Sequence, residues 1–127
     1  MTKIETSNAP GAIGPYSQGM TSGKLVFTSG QIPLDPVTGA IAGDTIEAQS
    51  EQALRNLQAV LEAGGASLAS VVKTTCFLSD MGNFAAFNAI YAKFFTGDCP
   101  ARSCVAVKTL PKNVLVEVEA IAETVDR

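Results

Sequence analysis

The stretch DTIEAQSEQALRNLQAVLEAGG, from Asp44 to Gly65, has the pattern of an amphipathic helix. Its apolar residues recur at helical intervals, and they are Ile46, Leu54, Leu57, Val60 and Leu61. Asp44 to Glu47 has the spacing of a capping box, and Gly64-Gly65 is typical of a helix end. The sequence therefore predicts one long helix here, and the segments on either side of it decide the fold class.

Short runs of β-prone residues flank this helix. The segment before it predicts a hairpin with a turn at Ser22-Gly23 and a strand over Leu25 to Gly30. The segments after it predict, in order, a strand over 71–78, a helix over 83–95 that Asp80 or Asn83 caps, and strands over 102–108 and 114–123 separated by the turn TLPKN. The order β-β-α-β-α-β-β predicts an α+β fold, with one sheet that carries both helices on one face.

The last predicted strand has two different sides. Val114, Val116 and Val118 share one side, while the other side mixes the apolar Leu115 and Ile121 with acidic residues. A sheet face that is neither cleanly polar nor cleanly apolar is typical of a surface shared between subunits. We therefore expect a homo-oligomer.

Composition bounds the class of protein. The 127 residues fit one domain, 1–127, and 46% hydrophobic with 17% charged residues predicts a folded, soluble chain. Nine basic and twelve acidic residues give a net charge of −3, which provides no general attraction for a phosphate backbone. We expect no nucleic-acid partner.

The chain carries no recognisable export or membrane signal. No apolar run approaches the roughly 20 residues that cross a bilayer, and the segment MTKIETSNAPG lacks the apolar part of a signal peptide. Three cysteines, an odd number, suit a reducing compartment, so we expect a cytoplasmic protein without a membrane partner. With no histidine in the chain, we expect neither a zinc site nor a Cys-His nucleophile.

Arg102 is the first candidate functional residue. Its guanidinium is a permanent planar cation that matches a carboxylate with two hydrogen bonds, and Arg102 lies at a strand start just after Pro100. An alternative interpretation is an ion pair with Glu117 or Glu119 across the sheet. Both interpretations are open from the sequence.

Glu117 and Glu119 are the candidate acids. Two residues apart on a strand, they point to the same face about 7 Å apart, and apolar neighbours would raise the pKa of a buried carboxyl. Such a group can act as a general acid or base near neutral pH, which a chain without histidine needs. A solvated strand face explains the pair equally well.

Four further positions have both a functional and a structural interpretation. Ser29-Gly30 lets a ligand approach the backbone or forms a bulge, and Tyr16 is a wall of a ligand site or a core ring. Asn88 lies one helical turn after Phe84 and needs hydrogen-bond partners near apolar groups. Cys104 points the same way as Arg102 and, without an adjacent histidine, is an apolar wall or a backbone contact rather than a nucleophile.

Five motifs, in one order and over nearly the whole chain, closely resemble the Rid family, also called the YjgF family, and within it the RidA branch of imine deaminases. The motifs are GPYSQG, VFTSGQIP, FNAIYAKFF, PARSCVAV and LPKNVLVEVEAIA. The resemblance implies a chorismate-mutase-like α+β fold, a homotrimer whose sheets enclose a central barrel, and three equivalent sites in clefts between subunits.

The resemblance also implies roles for the candidate residues. Arg102 would bind the substrate carboxylate, Glu117 would position and activate water, and Glu119 would be structural. The other residues would contact the substrate or line the cleft, Cys104 through its main chain, and they are Tyr16, Ser29, Gly30, Asn88 and Cys104.

The implied reaction is hydrolysis of 2-iminobutanoate or 2-iminopropanoate to the 2-oxo acid and ammonia. A protonated imine is already electrophilic, so we expect no metal and no cofactor. An alternative is a non-catalytic regulatory trimer that binds 2-oxo acids at the same arginine. A third possibility, ribonuclease action, agrees poorly with the acidic charge balance and the missing histidine.

Overall fold

A six-stranded sheet with two helices on one face forms the computed structural model, which describes residues 1–125. Its elements are β1 (Thr2–Ile4), β2 (Gly19–Ser22), β3 (Leu25–Thr28), α1 (Ile46–Ala63), β4 (Val71–Leu78), α2 (Phe84–Phe94), β5 (Ala101–Ala106) and β6 (Val116–Glu123). The strand order is β1-β2-β3-β6-β4-β5, and β4 pairs with β5 in parallel while the other neighbours are antiparallel. The predicted α+β class is confirmed.

Helix α1 begins one residue later than the predicted capping box. Thr45 is the N-cap, and its hydroxyl accepts a hydrogen bond from the N–H of Ala48 at 3.2 Å, whereas Asp44 lies outside the helix. Gly64 ends the helix, and Gly65 follows with a φ of 85°, a backbone conformation that favours glycine. The predicted cap at Asp44 is therefore wrong by one position, while the predicted glycine stop is confirmed.

The core lies between the helices and one face of the sheet, which we call the helix face. On β6, Val116 and Val118 are fully buried on this face, and on β4 so is Leu78. Glu117 and Glu119 alternate with them and point to the opposite side, which we call the open face. The predicted alternation along β6 is confirmed, and it decides which side chains can meet.

The open face is uncovered and partly apolar in the single chain. Leu25 and Phe27 of β3 are each 38% exposed there, and Val105 of β5 is 45% exposed. Half-buried Glu117 and Glu119 lie between these apolar groups. This mixture matches the expectation from the sequence.

Strand β1 is absent from the predicted order. It has three residues, of which only Ile4 is buried, and it is the edge strand that pairs with β2. A run this short carries no alternating pattern, so its pairing depends on a distant partner. The observed order is β-β-β-α-β-α-β-β.

Several predicted boundaries differ from the structure by one or two residues. The hairpin turn is Gly23-Lys24 rather than Ser22-Gly23, because Ser22 pairs with Leu25. Strand β3 ends at Thr28, β5 spans 101–106 rather than 102–108, and β6 begins at Val116 rather than Val114. A short 3-10 turn over Pro111–Asn113 precedes β6.

Helix α2 covers Phe84–Phe94, one residue inside each predicted end. A 3-10 turn precedes it, and the carboxylate of Asp80 caps that turn by accepting the N–H of Gly82 at 2.7 Å. Asn83 makes no capping bond, so Asp80 is the cap that the structure uses. Within residues 1–125, neither helix is long and apolar enough to cross a membrane.

Candidate active site

Arg102 lies at the centre of a cluster on the helix face, which we call the arginine cluster. Its Nη1 donates to Oδ1 of Asn88 at 2.8 Å. Its guanidinium carbon lies 4.8 Å from the ring centroid of Tyr91 and 5.5 Å from that of Phe84. Two aromatic rings and one amide therefore hold this half-buried cation.

Secondary structure explains why these groups meet. Arg102 is the second residue of β5, on the edge of the sheet, where it is the register partner of Thr74 on β4. Phe84, Asn88 and Tyr91 are spaced four and three residues apart on α2, which places them on one side of that helix. The edge strand thus presents its arginine to a single face of α2.

The alternative interpretation of Arg102 as the ion-pair partner of Glu117 or Glu119 is wrong for the single chain. Arg102 contacts α2 on the helix face, whereas both glutamates project from the open face. In the part of the chain that the structure describes, the only ion pairs are Lys3–Glu5 and Arg55–Glu51. Arg102 therefore has no carboxylate partner there, and most of its N–H donors are free for a ligand.

Cys104 lies two residues after Arg102 on the same side of β5 and is half-buried. Burial raises the pKa of its thiol above the ordinary value, so the group is a neutral thiol near pH 7. This is consistent with a wall or backbone role rather than a nucleophile. Because β5 is the edge of the sheet that residues 1–125 form, main-chain groups on its outer side pair with no strand of that sheet.

Glu117 belongs to a second cluster, on the open face, which comprises Glu117, Glu119 and the backbone of Gly30 and which we call the glutamate cluster. Burial raises the pKa of its carboxyl, and the nearby charge of Glu119 raises it further. Within residues 1–125, its carboxylate accepts no hydrogen bond from another group. Glu117 is therefore a proton acceptor whose pKa lies closer to neutral than that of an ordinary glutamate.

Gly30 lies against the carboxylate of Glu117. A Cβ atom at this position would overlap Oε2 of Glu117, so only glycine leaves the carboxylate in place. Among the described residues, the N–H of Gly30 donates no hydrogen bond, whereas the next N–H, that of Gln31, donates to Val118. The backbone of Gly30 thus offers a free donor beside the acid.

Ser29 fixes the loop that carries Tyr16 next to Gly30. Its hydroxyl donates to the carbonyl oxygen of Ser17 at 2.6 Å, and its N–H donates to the carbonyl oxygen of Gln18 at 2.9 Å. The hydroxyl proton of Ser29 is therefore donated within the chain, and the hydroxyl oxygen can still accept a hydrogen bond. The predicted contact of Ser29 with a substrate stays a prediction.

Tyr16 is half exposed and lines a cavity of about 180 Å³ together with Gly30. Ile32, Leu34 and Lys112 also line this cavity. The phenol oxygen of Tyr16 accepts the N–H of Ile13 at 3.3 Å, so the ring is not a core residue of the hairpin. The cavity reaches Gly30, where Ile32 and Leu34 supply apolar lining, but Glu117 is not one of its lining residues.

The structure brings the predicted site residues together in two groups rather than one. Asn88, Arg102 and Cys104 lie in the arginine cluster, and Ser29, Gly30 and Glu117 lie around the glutamate cluster with Tyr16 beside them. The two clusters are on opposite faces of the same sheet. One chain therefore contains both groups of predicted site residues, yet it does not bring them together.

Two residues of the arginine cluster were not predicted as site residues, namely Phe84 and Tyr91. The helical spacing of Phe84, Asn88 and Tyr91 was a signal that could have found them, because it places both rings beside the predicted amide.

Within residues 1–125, no group of three or more acidic, cysteine or histidine side chains is arranged to hold a metal ion.

Several known proteins are similar to this chain in fold and in sequence. A family model described as "Endoribonuclease L-PSP" matches residues 6–124. The Salmonella typhimurium protein named 2-iminobutanoate/2-iminopropanoate deaminase is 54% identical over 122 residues, which are 94% of each chain. Escherichia coli TdcF with bound serine has a TM-score of 0.94 and 46% identity, with 98% of this chain and 100% of that chain covered.

The Escherichia coli YjgF gene product has a TM-score of 0.93 and 48% identity, with 97% of this chain and 98% of that chain covered. The match extends over almost the whole chain in sequence and in structure. This chain belongs to the endoribonuclease L-PSP family, which is the Rid (YjgF) family that its motifs resemble.

Proposed function

We propose that this protein is an imine deaminase that hydrolyses 2-iminobutanoate and 2-iminopropanoate to the 2-oxo acid and ammonia. The observation that carries the proposal is that Arg102 has no carboxylate partner within residues 1–125 and lies half-buried against two aromatic rings. A fixed, unpaired guanidinium is suited to a small organic carboxylate. The name of the Salmonella relative gives the substrate class.

In this mechanism Arg102 binds the carboxylate of the imino acid with its free N–H groups. Glu117 accepts a proton from a water molecule as the water oxygen bonds to the imine carbon and the C=N π electrons move to nitrogen. It gives this proton to the amino nitrogen, and it then takes the hydroxyl proton as the C–N bond breaks, ammonia leaves and the C=O bond forms. Burial and the charge of Glu119 raise the pKa of this carboxyl, which makes it a stronger proton acceptor than an ordinary glutamate and suits it to both steps. The free N–H of Gly30 and the main chain of Cys104 orient the reacting centre, while Tyr16, Ser29 and Asn88 line the cleft.

No metal or cofactor is required in this mechanism. A protonated imine is electrophilic by itself and also hydrolyses without a catalyst, so a modest rate acceleration by the enzyme is sufficient. The protein must hold the substrate carboxylate and a water molecule in fixed positions relative to each other. Binding and orientation supply most of the required rate gain.

The complete site needs a second copy of the chain. Because Arg102 and Glu117 project from opposite faces of one sheet, they meet only when the arginine cluster of one copy lies against the glutamate cluster of the next. Such a head-to-tail contact is heterologous, and it closes into a ring when the rotation permits. We propose a homotrimer in which the open faces enclose a central barrel, as the Rid resemblance implies, and this assembly also covers Leu25, Phe27 and Val105.

The proposed cellular setting follows from the same chemistry. Such a deaminase removes reactive imines that dehydratases release, which is a form of metabolite damage control. The three cysteines are free thiols, which agrees with the cytoplasmic location expected from the sequence.

The proposed function is tested in a threonine dehydratase reaction, in which semicarbazide traps the imine before it is hydrolysed. Added protein should accelerate formation of 2-oxobutanoate and reduce formation of the semicarbazone. A protein that binds 2-oxobutanoate but leaves both rates unchanged would be the regulatory trimer instead. RNA cleavage that co-purifies with the wild type and disappears in Glu117→Ala would support the ribonuclease alternative.

Gly30→Ala is expected to reduce deaminase activity strongly while leaving the fold intact. The added methyl group displaces the carboxylate of Glu117, and a shift of about 1 Å in a catalytic group costs about 100-fold in rate. The semicarbazide assay measures the activity, and circular dichroism measures the melting temperature.

Gly97→Ala is the matched control, because a methyl group at Gly97 contacts nothing within 4 Å. It should retain wild-type activity. Wild-type turnover in Gly30→Ala would show that the position of the Glu117 carboxylate does not limit the reaction.

A further inference from the structure

Tyr91 lies directly against Arg102 and is itself held on several sides. Its ring stacks on Phe95, with centroids 4.5 Å apart, and it contacts Phe87 at 5.7 Å. Its hydroxyl lies 2.8 Å from Oγ1 of Thr74, and both residues are buried, with exposures of 6% and 1%. The ring beneath the guanidinium is therefore fixed in position and in tilt.

The bond to Thr74 connects α2 to the sheet at the level of the arginine. Thr74 on β4 is the register partner of Arg102 on β5, so the ring of Tyr91 is tied to the strand next to the one that carries the cation. Burial raises the pKa of Tyr91, which keeps the phenol neutral and able to share this hydrogen bond. Helix and strand are thus held together where Arg102 needs a fixed surface.

An arginine side chain needs more than one contact to be oriented. Its long stem has many rotamers, and ordering them costs conformational entropy. The single hydrogen bond to Asn88 fixes one nitrogen but leaves the guanidinium plane free to rotate about that bond. The rings of Tyr91 and Phe84 restrict that rotation, so the guanidinium plane is oriented before a ligand binds.

We propose that Tyr91 and Phe84 are positioning residues for Arg102, and that their rings set the plane in which its guanidinium binds the substrate carboxylate. The ligand part of this inference rests on the proposed function, whereas the orientation of the guanidinium does not. Neither ring touches the reacting atoms. Their effect is on how rigidly and in which plane the cation is presented.

The test without ligand is nuclear magnetic resonance of the arginine Nε–H groups in the assembled protein. The chain has three arginines, and the Arg102 signal is assigned by its loss in Arg102→Lys. We expect an order parameter near 0.85 for Arg102 in the wild type and a fall below about 0.6 in Tyr91→Leu. Phe84→Leu, at a half-buried position that tolerates the change, should lower it in the same direction, while the signal of exposed Arg55 stays unchanged.

The test with ligand is titration calorimetry with 2-oxobutanoate. A cation–π contact is worth about 0.5–2 kcal/mol, so Tyr91→Leu should weaken binding by about 2- to 30-fold, with KM rising more than kcat falls. Tyr91→Phe keeps the ring and its packing on Phe95 and Phe87, so it should bind 2-oxobutanoate much more tightly than Tyr91→Leu does, although it loses stability because Thr74 loses its partner. In an Arg102→Lys background, Tyr91→Leu should add little further loss.

Phe87→Leu is the control for a purely structural effect, since Phe87 is fully buried and packs on Tyr91 rather than on Arg102. It should lower the melting temperature while reducing the Arg102 order parameter much less than Tyr91→Leu does, because Phe95 and Thr74 still hold the Tyr91 ring. An unchanged order parameter in both Tyr91→Leu and Phe84→Leu would overturn the proposal, as would an equal fall in Phe87→Leu. A wild type that binds 2-oxobutanoate without deaminase activity would defeat the proposed function and leave the positioning role standing.

Discussion

Arg102→Ala is expected to lower kcat/KM for 2-iminobutanoate by about 100-fold, because hydrogen bonds to a charged group contribute about 1.5–3 kcal/mol. Arg102 has no carboxylate partner within residues 1–125, so the loss in kcat/KM reports the missing contact with the ligand carboxylate rather than a broken ion pair within the chain. Folding should change little, since a cation–π contact at a partly exposed site is worth about 0.5–1 kcal/mol. The semicarbazide assay and titration with 2-oxobutanoate measure the two parts of this effect.

Arg102→Lys separates charge from geometry. Lysine keeps the positive charge but loses the two-pronged match to a carboxylate, so 2-oxobutanoate should bind more weakly than to the wild type. Arg55→Ala is the matched control, because Arg55 forms only an exposed pair with Glu51 on α1 and should be dispensable for activity. Full deaminase activity in Arg102→Ala would defeat the proposed role of the arginine.

Glu117→Gln is expected to lower kcat by about 100-fold or more, which is the usual contribution of a general base. The amide is nearly the same size as the carboxyl but cannot accept a proton from water. Binding of 2-oxobutanoate should change far less than turnover, in contrast to the Arg102 variants. Equal losses of affinity in Glu117→Gln and Arg102→Lys, with turnover otherwise intact, would contradict the two assigned roles.

The pH dependence of kcat should follow the ionisation of Glu117. Because the carboxyl must be ionised to accept a proton, kcat should fall as the pH drops through its pKa, which lies above the ordinary value of 4.5. Glu119 raises this pKa by charge repulsion, so Glu119→Gln should remain active and move the acidic fall of kcat to lower pH. The profile is measured with the imine-generating enzyme in excess at every pH, and a shift to higher pH in Glu119→Gln would contradict the assignment.

The sequence was sufficient for the elements whose signals are local. Helix α1 has both a periodic apolar face and a glycine stop, and strand β4 was predicted with its observed ends, Val71 and Leu78, because β-branched and aromatic residues are concentrated there. Strand β1 was not predicted, because its three residues become a strand only by pairing with β2. Local patterns do not carry that information.

The candidate site likewise combines features that local sequence patterns predict with features that depend on long-range pairing. The alternation of Glu117 with buried valines was visible in the sequence, and so was the helical spacing around Asn88. That Arg102 faces the helices while Glu117 faces away depends on how β5 and β6 pair with β4, which is a long-range arrangement. The close approach of Gly30 to Glu117 depends on the path of the chain between the end of β3 at Thr28 and the bridge that Gln31 forms with Val118, which alternation alone does not reveal.

The most direct measurement is the activity of mixed oligomers. Chains with Arg102→Ala and chains with Glu117→Gln are co-expressed with different affinity tags, and particles that carry both tags are purified. If each site takes its arginine from one copy and its glutamate from the next, every mixed trimer contains one intact site, and about one third of wild-type activity should return. If the two residues act within one chain, every site in the mixture lacks one of them, and the particles would be as inactive as either variant alone.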